Sequence, residues 1–140
     1  VRLQNKFDYY AEGRAFEWVM GLSMFFGGVE VMAYPDTISF GAFQWILLVM
    51  TQQFIGLFMI MVGWMRISGL LLNGQTIFNR PFGPYIRAVC SVLSASMWVQ
   101  FALALIIAGY ERGAPTIGIP FWTMFTVGEL YVAYTTVKNA

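Results

Sequence analysis

The sequence predicts an all-α membrane protein: four transmembrane helices behind a short N-terminal interfacial segment, with both termini cytoplasmic. Three observations carry that expectation. Of 140 residues, 59% are hydrophobic and only 11% are charged, whereas a soluble domain has about 45–50% apolar and about 25% charged residues. The apolar residues collect in four runs, near 16–35, 41–66, 85–109 and 117–137. Each is long enough to cross a hydrocarbon layer about 30 Å thick, which takes roughly 20 helical residues. Aromatic residues make up 18% of the chain, with Trp and Tyr gathered near the ends of the runs, as in an interfacial belt.

Residues 1–15, "VRLQNKFDYYAEGRA", are too polar to cross. Leu3, Phe7 and Tyr10 recur there at helical spacing, which suits a helix lying on the membrane surface; a plain cytoplasmic lead-in is the alternative. The stretch lacks the apolar core and the cleavage site of a signal peptide, so none is expected. The first run, 16–35, carries Glu30 on the same face as Ser23 and Gly27, all within about 60° at 100° per residue. Pro35 and Asp36 mark the turn that ends it.

In the second run, Gln52, Gly56 and Gly63 share a face and Gln53 adjoins it. Arg66 closes that run and reads as an interfacial charge. A connection with Gly74, Pro81, Gly83 and Pro84 follows, Pro84 being placed for the first turn of the next helix. The third run bears a stripe of small residues, Ala88, Ser91, Ala95, Ala102 and Gly109, with Gln100 on the opposite side. Two faces of that kind imply burial on both. After "GYERGAPTIGIP", the fourth run aligns Trp122, Thr126, Glu129, Ala133 and Thr136. Residues 138–140 form a tail, and 16–137 constitute one transmembrane domain.

Orientation follows from the basic residues. Arg2, Lys6, Arg14, Arg66, Arg80, Arg87 and Lys138 fall on one side of the four runs and Arg112 on the other. The positive-inside rule assigns the crowded side to the cytoplasm, as suits a bacterial inner membrane.

Lipid gives helices no hydrophobic reason to pair, so small and polar residues mark packed faces. Ser23, Gly27, Gly56, Gly63, Ser91, Ala95 and Ala102 are the expected packing positions. By depth, Glu30 and Gln100 form one expected layer toward the outside. Glu129 forms another at the midplane with Gln52 or Gln53. Glu30 lies about one turn from the outer interface and is expected to face protein or water. Glu17, at the other end of the first run, is expected to meet water and Arg14. An acid at the midplane either conducts protons or ions, or holds helices together by hydrogen bonding.

Several chemistries find no support. The chain has no histidine and a single cysteine, Cys90, so no cofactor or metal is expected and Cys90 reads as a packing residue. Met59, Met61 and Met65 spread around their helix rather than converge as a soft-metal site would require. Gly27 and Gly28 lack the strand and lysine of a phosphate loop. A net charge of +1 gives nucleic acid no electrostatic handle. Arg80 and Arg87 either contact anionic headgroups or serve only as topology signals. No catalytic constellation is present, so an enzyme is not expected.

Three functions remain. The first is a structural or accessory subunit of a membrane oligomer or complex, its partners being lipids and either copies of itself or other membrane subunits. The second is an oligomeric pore or proton and ion conduit using Glu129, Gln52 and Glu30. Small pore formers of the phage holin type are similar in compactness and short polar ends, a likeness of architecture without a motif. The third, a transporter, is disfavoured because the sequence has neither inverted repeats nor a broken helix pair.

Overall fold

Three helices here are long and apolar enough to cross a membrane, and two glycine-lined contacts explain how the first pair of them meets. The computed structural model describes residues 14–34, 44–71, 82–112 and 118–138. Helix α1 is Ala15–Ala33, α2 is the single turn Gln44–Leu47, α3 is Gln52–Leu71, α4 is Phe82–Arg112 and α5 is Gly118–Lys138. The three spanning candidates are α1, α3 and, within α4, Gly83–Glu111. The chain is a helical membrane protein. Helix α5 has 21 residues but lies outside that apolar set.

The N-terminal segment, including Leu3, Phe7 and Tyr10, lies outside the described residues, as do Pro35, Asp36, Gly74, Arg80 and Pro81. Within the described parts, α1, α4 and α5 fall within about three residues of the runs read from the sequence. Pro84 stands in the first turn of α4, and Pro120 in the first turn of α5, where a missing N–H costs nothing.

The second run requires a correction. It is not one helix over 41–66. After α2, the amides of Val49 and Met50 both donate to the Ile46 carbonyl, and the chain restarts at α3. Thr51 caps that restart, its Oγ1 accepting a 3.3 Å hydrogen bond from the Phe54 amide. Helix α3 then continues to Leu71, past Arg66. Apolarity alone does not register a helix that stops and restarts inside an apolar stretch.

Helices α1 and α3 run antiparallel, with Gly21 beside Arg66 and Ile67, and Gly28 beside Gly56 and Ile60. A Cβ on Gly28 would stand 2.6 Å from the Gly56 carbonyl oxygen, and one on Gly63 would stand 2.5 Å from the Phe25 amide nitrogen. The two backbones therefore touch. Met20, Met24, Ile55, Met59 and Val62 fill the remaining space.

The second antiparallel pair is α4 and α5. It is closed by an aromatic cluster in which Trp98 and Trp122 stack at 5.1 Å, with Phe101 and Phe125 edge-on to Trp122. Helix α3 also packs against α4, where Gly69 meets Ile86 and Arg87. Contact therefore proceeds in the order α1, α3, α4, α5.

Candidate functional site

Arg66 is the residue the sequence placed worst. It sits 14 residues into α3, about 21 Å along the axis, and Glu129 sits 11 residues into α5, about 17 Å along. Helices α3 and α5 both run antiparallel to α4, so these two positions come level in the interior. Both side chains are completely buried, and Arg66 Nη1 donates to Glu129 Oε1. An ion loses several kcal/mol of hydration in such a place, and only a close partner repays the loss. The midplane acid is thus neutralised by an arginine, not by the glutamine that depth arguments assign to it.

Helix α4 supplies the surroundings. Ser91, Ser94 and Trp98 recur at intervals of three and four on its buried side. Ser91 and Trp98 lie close enough to the Glu129 carboxylate to act on it, but neither completes a hydrogen bond to it. Arg66 Nε and Nη2, the Ser91 and Ser94 hydroxyls, Trp98 Nε1 and Glu129 Oε2 are all buried without a hydrogen-bond partner. Cys90, also buried, is near enough to feel both charges. The result is a polar centre among α3, α4 and α5, with balanced charge and more donors than acceptors.

A second ion pair lies where α1 and α4 begin. Arg87 Nε donates to Glu17 Oε2 at 2.7 Å, and Arg87 Nη2 donates to Glu17 Oε1. The pair is bidentate and both side chains are buried. Glu17 therefore does not meet water at a mouth, and Arg87 does not reach toward lipid headgroups. A carboxylate in the first turn of α1 also suits the positive end of that helix.

The two pairs have a common geometry. Each joins helices that are next but one in the packing order, α3 with α5 and α1 with α4, between which direct helix packing is slight. They are cross-ties between the two antiparallel pairs.

The other expected site residues disperse. Gln52 opens α3 and donates from Nε2 to the Val31 and Tyr34 carbonyls at 2.7 and 2.8 Å. It satisfies carbonyls at the C-terminal end of α1 and lies about 21 Å along α3 from Arg66, so it cannot join Glu129. Gln53 is exposed. Glu30 points outward on α1, while half-buried Gln100 lines a groove with Ile46, Val49, Met50 and Leu103. The structure does not bring those two together as a layer.

Among the packing positions, Gly56, Gly63, Ser91, Ala95 and Ala102 are buried and Gly27 is half-buried. Ser23 is exposed. Cys90 and Met59 lie in the core, with Met61 and Met65 outside it.

Comparison with protein-family models, curated proteins and solved structures gives no match.

The sequence held a signal for Arg66. The stretch after it, "ISGLLL", is as apolar as the stretch before, so the arginine stands inside the run rather than at its edge. With no histidine in the chain, only a Lys or Arg at equal depth can neutralise an ionised midplane acid, and Arg66 stands at that depth.

Proposed function

We propose that the chain is a non-enzymatic structural or accessory subunit of a membrane oligomer or complex. The observation that carries this reading is the closed Arg66–Glu129 pair, both of whose side chains are 0% exposed. The deepest ionisable groups are spent on joining helices. The outer surface is largely apolar, with Phe26, Trp64, Met124 and Val127 exposed. Ser23 and Glu30 stand uncovered on the outer side of α1, on a helix whose other outward residues suit lipid. A neighbouring subunit would cover them.

In this reading α5 is the fourth transmembrane helix. Its 21 residues extend about 31 Å at 1.5 Å per residue, close to the thickness of the hydrocarbon core. The acid that lowers its hydropathy is neutralised by Arg66. Four antiparallel crossings put both termini on one side, and the distribution of Lys and Arg makes that side cytoplasmic, as in a bacterial inner membrane.

An oligomeric pore lined by Glu129, Gln52 and Glu30 has less support. Glu129 is engaged inside the chain, Gln52 is engaged at the end of α1, and Glu30 faces outward.

Gentle solubilisation followed by mass measurement tests the subunit reading. A defined oligomer or a co-purifying membrane protein is expected, and a clean monomer would overturn it. Reconstituted vesicles are expected to show no proton or ion flux at any pH; steady flux would establish the pore instead.

A further inference from the structure

A groove of about 600 Å³ runs between α4 and α5 on the outer surface, a volume within the range of small-molecule sites. Its rims are Val89 and Val92 on α4 and Tyr134 and Val137 on α5, all of them exposed. Its floor is small, with Ala88 and Ala133 buried between the two helices. Lys138, in the last turn of α5, stands at one end, exposed. Lys138 has no carboxylate partner among the described residues, where Glu17, at the same end, is engaged by Arg87.

The groove is thus apolar along its length with a single cation at its mouth. Ala133 to Lys138 covers about 8 Å of helix, enough to seat the first part of an acyl chain below a headgroup. Tyr85, exposed on the face of α4 that leads into Val89, and Tyr134 put two phenolic rings at the same end. Such rings mark the headgroup level.

A second copy of the chain suits the groove poorly. Two copies of equal topology pair about an axis along the membrane normal, and an interface centred on this groove would face itself. Lys138 would then oppose Lys138 at the same depth. A phosphate has the charge this end calls for.

We propose that the α4/α5 groove is a binding site for an anionic phospholipid, with its acyl chain against Val89, Val92 and Ala133 and its phosphate on the Lys138 ammonium. The site rests on the proposed crossing of the membrane by α5 beside α4, and not on the chain being a subunit of a larger assembly.

The test is native mass spectrometry of the full chain released from nanodiscs containing phosphatidylglycerol and phosphatidylcholine in equal amounts. Wild type is expected to retain phosphatidylglycerol preferentially. Lys138→Gln is expected to lower that preference about fivefold, the worth of one basic residue at an anionic surface. Val92→Trp, a change at an exposed rim, is expected to abolish retention of both lipids without lowering the melting temperature. Should that variant melt early, Val137→Trp on the opposite rim provides the same reading. Equal retention of the two lipids by wild type would overturn the proposal, as would undiminished retention by a rim variant that folds. Efficient cross-linking between copies through Val89→Cys would assign the groove to a second copy and overturn it as well.

Discussion

Arg66 and Glu129 differ from ordinary interior residues in that neither can be removed alone. Taking away one charge leaves the other buried and uncompensated, which typically costs about 3–5 kcal/mol. Glu129→Gln keeps a hydrogen-bond acceptor but not the charge, so the guanidinium it faces stays unneutralised. An acid that held helices together by hydrogen bonding alone would tolerate this substitution. With Arg66 as the partner, it is expected to lower the melting temperature in detergent sharply. Replacing both residues, Arg66→Met with Glu129→Leu, is expected to recover most of the loss, since a well-packed apolar pair is often neutral or better. Thermal unfolding of the two variants beside the wild type checks this. A double variant no more stable than Glu129→Gln would show that the charges do more than neutralise each other.

At the scale of helices, the α1/α3 contact is decided by the absence of side chains. In lipid no hydrophobic force draws helices together, so close backbone approach and dispersion must do so. Gly63→Ala would drive a methyl against the Phe25 and Gly21 backbone, and overpacking of this kind costs about 1–3 kcal/mol. Gly27→Ala meets only the mobile end of Met59, at 3.2 Å, and is expected to be tolerated. Unfolding curves of the two alanine variants should separate clearly; equal stability would mean that the helices do not touch as described. The periodicity of small residues made Gly56 and Gly63 legible beforehand, because packing in lipid leaves that mark in the sequence. It could not tell Gly27 from its neighbour Gly28, which makes the closer contact, because a rotation of one residue lies below what spacing resolves. Nor could it show the break before α3, which is set by the Thr51 cap inside an apolar run.

For the molecule as a whole, the number and order of long helices were legible, and for three of them the reason is that a hydrocarbon solvent sets the length of an apolar run. The polar centre was legible only by half. Its acid stood out in an apolar helix, whereas its base lay close enough to the end of a run to pass for a topology signal. Glu17 and Arg87 were misread for the same reason: depth along one helix says nothing about which neighbour a long side chain reaches.

The partners in the deep pair are 63 positions apart in the chain, and this bears on biosynthesis. During translation, α3 emerges with its guanidinium well before the carboxylate of α5 exists. In that interval the arginine sits in the insertion machinery or the bilayer without a counter-charge, a burden of about 2.5–3.5 kcal/mol on insertion scales. Synthesis of α5 brings the carboxylate that pairs with it, so α5 is expected to secure the stable residence of α3. A nascent chain stopped after residue 113 is therefore expected to be degraded in vivo faster than the full polypeptide. Arg66→Leu in the same truncated chain is expected to slow that turnover. Pulse-chase labelling of the two truncations would read the difference directly, and equal lifetimes would argue that α3 settles without waiting for its distant acid.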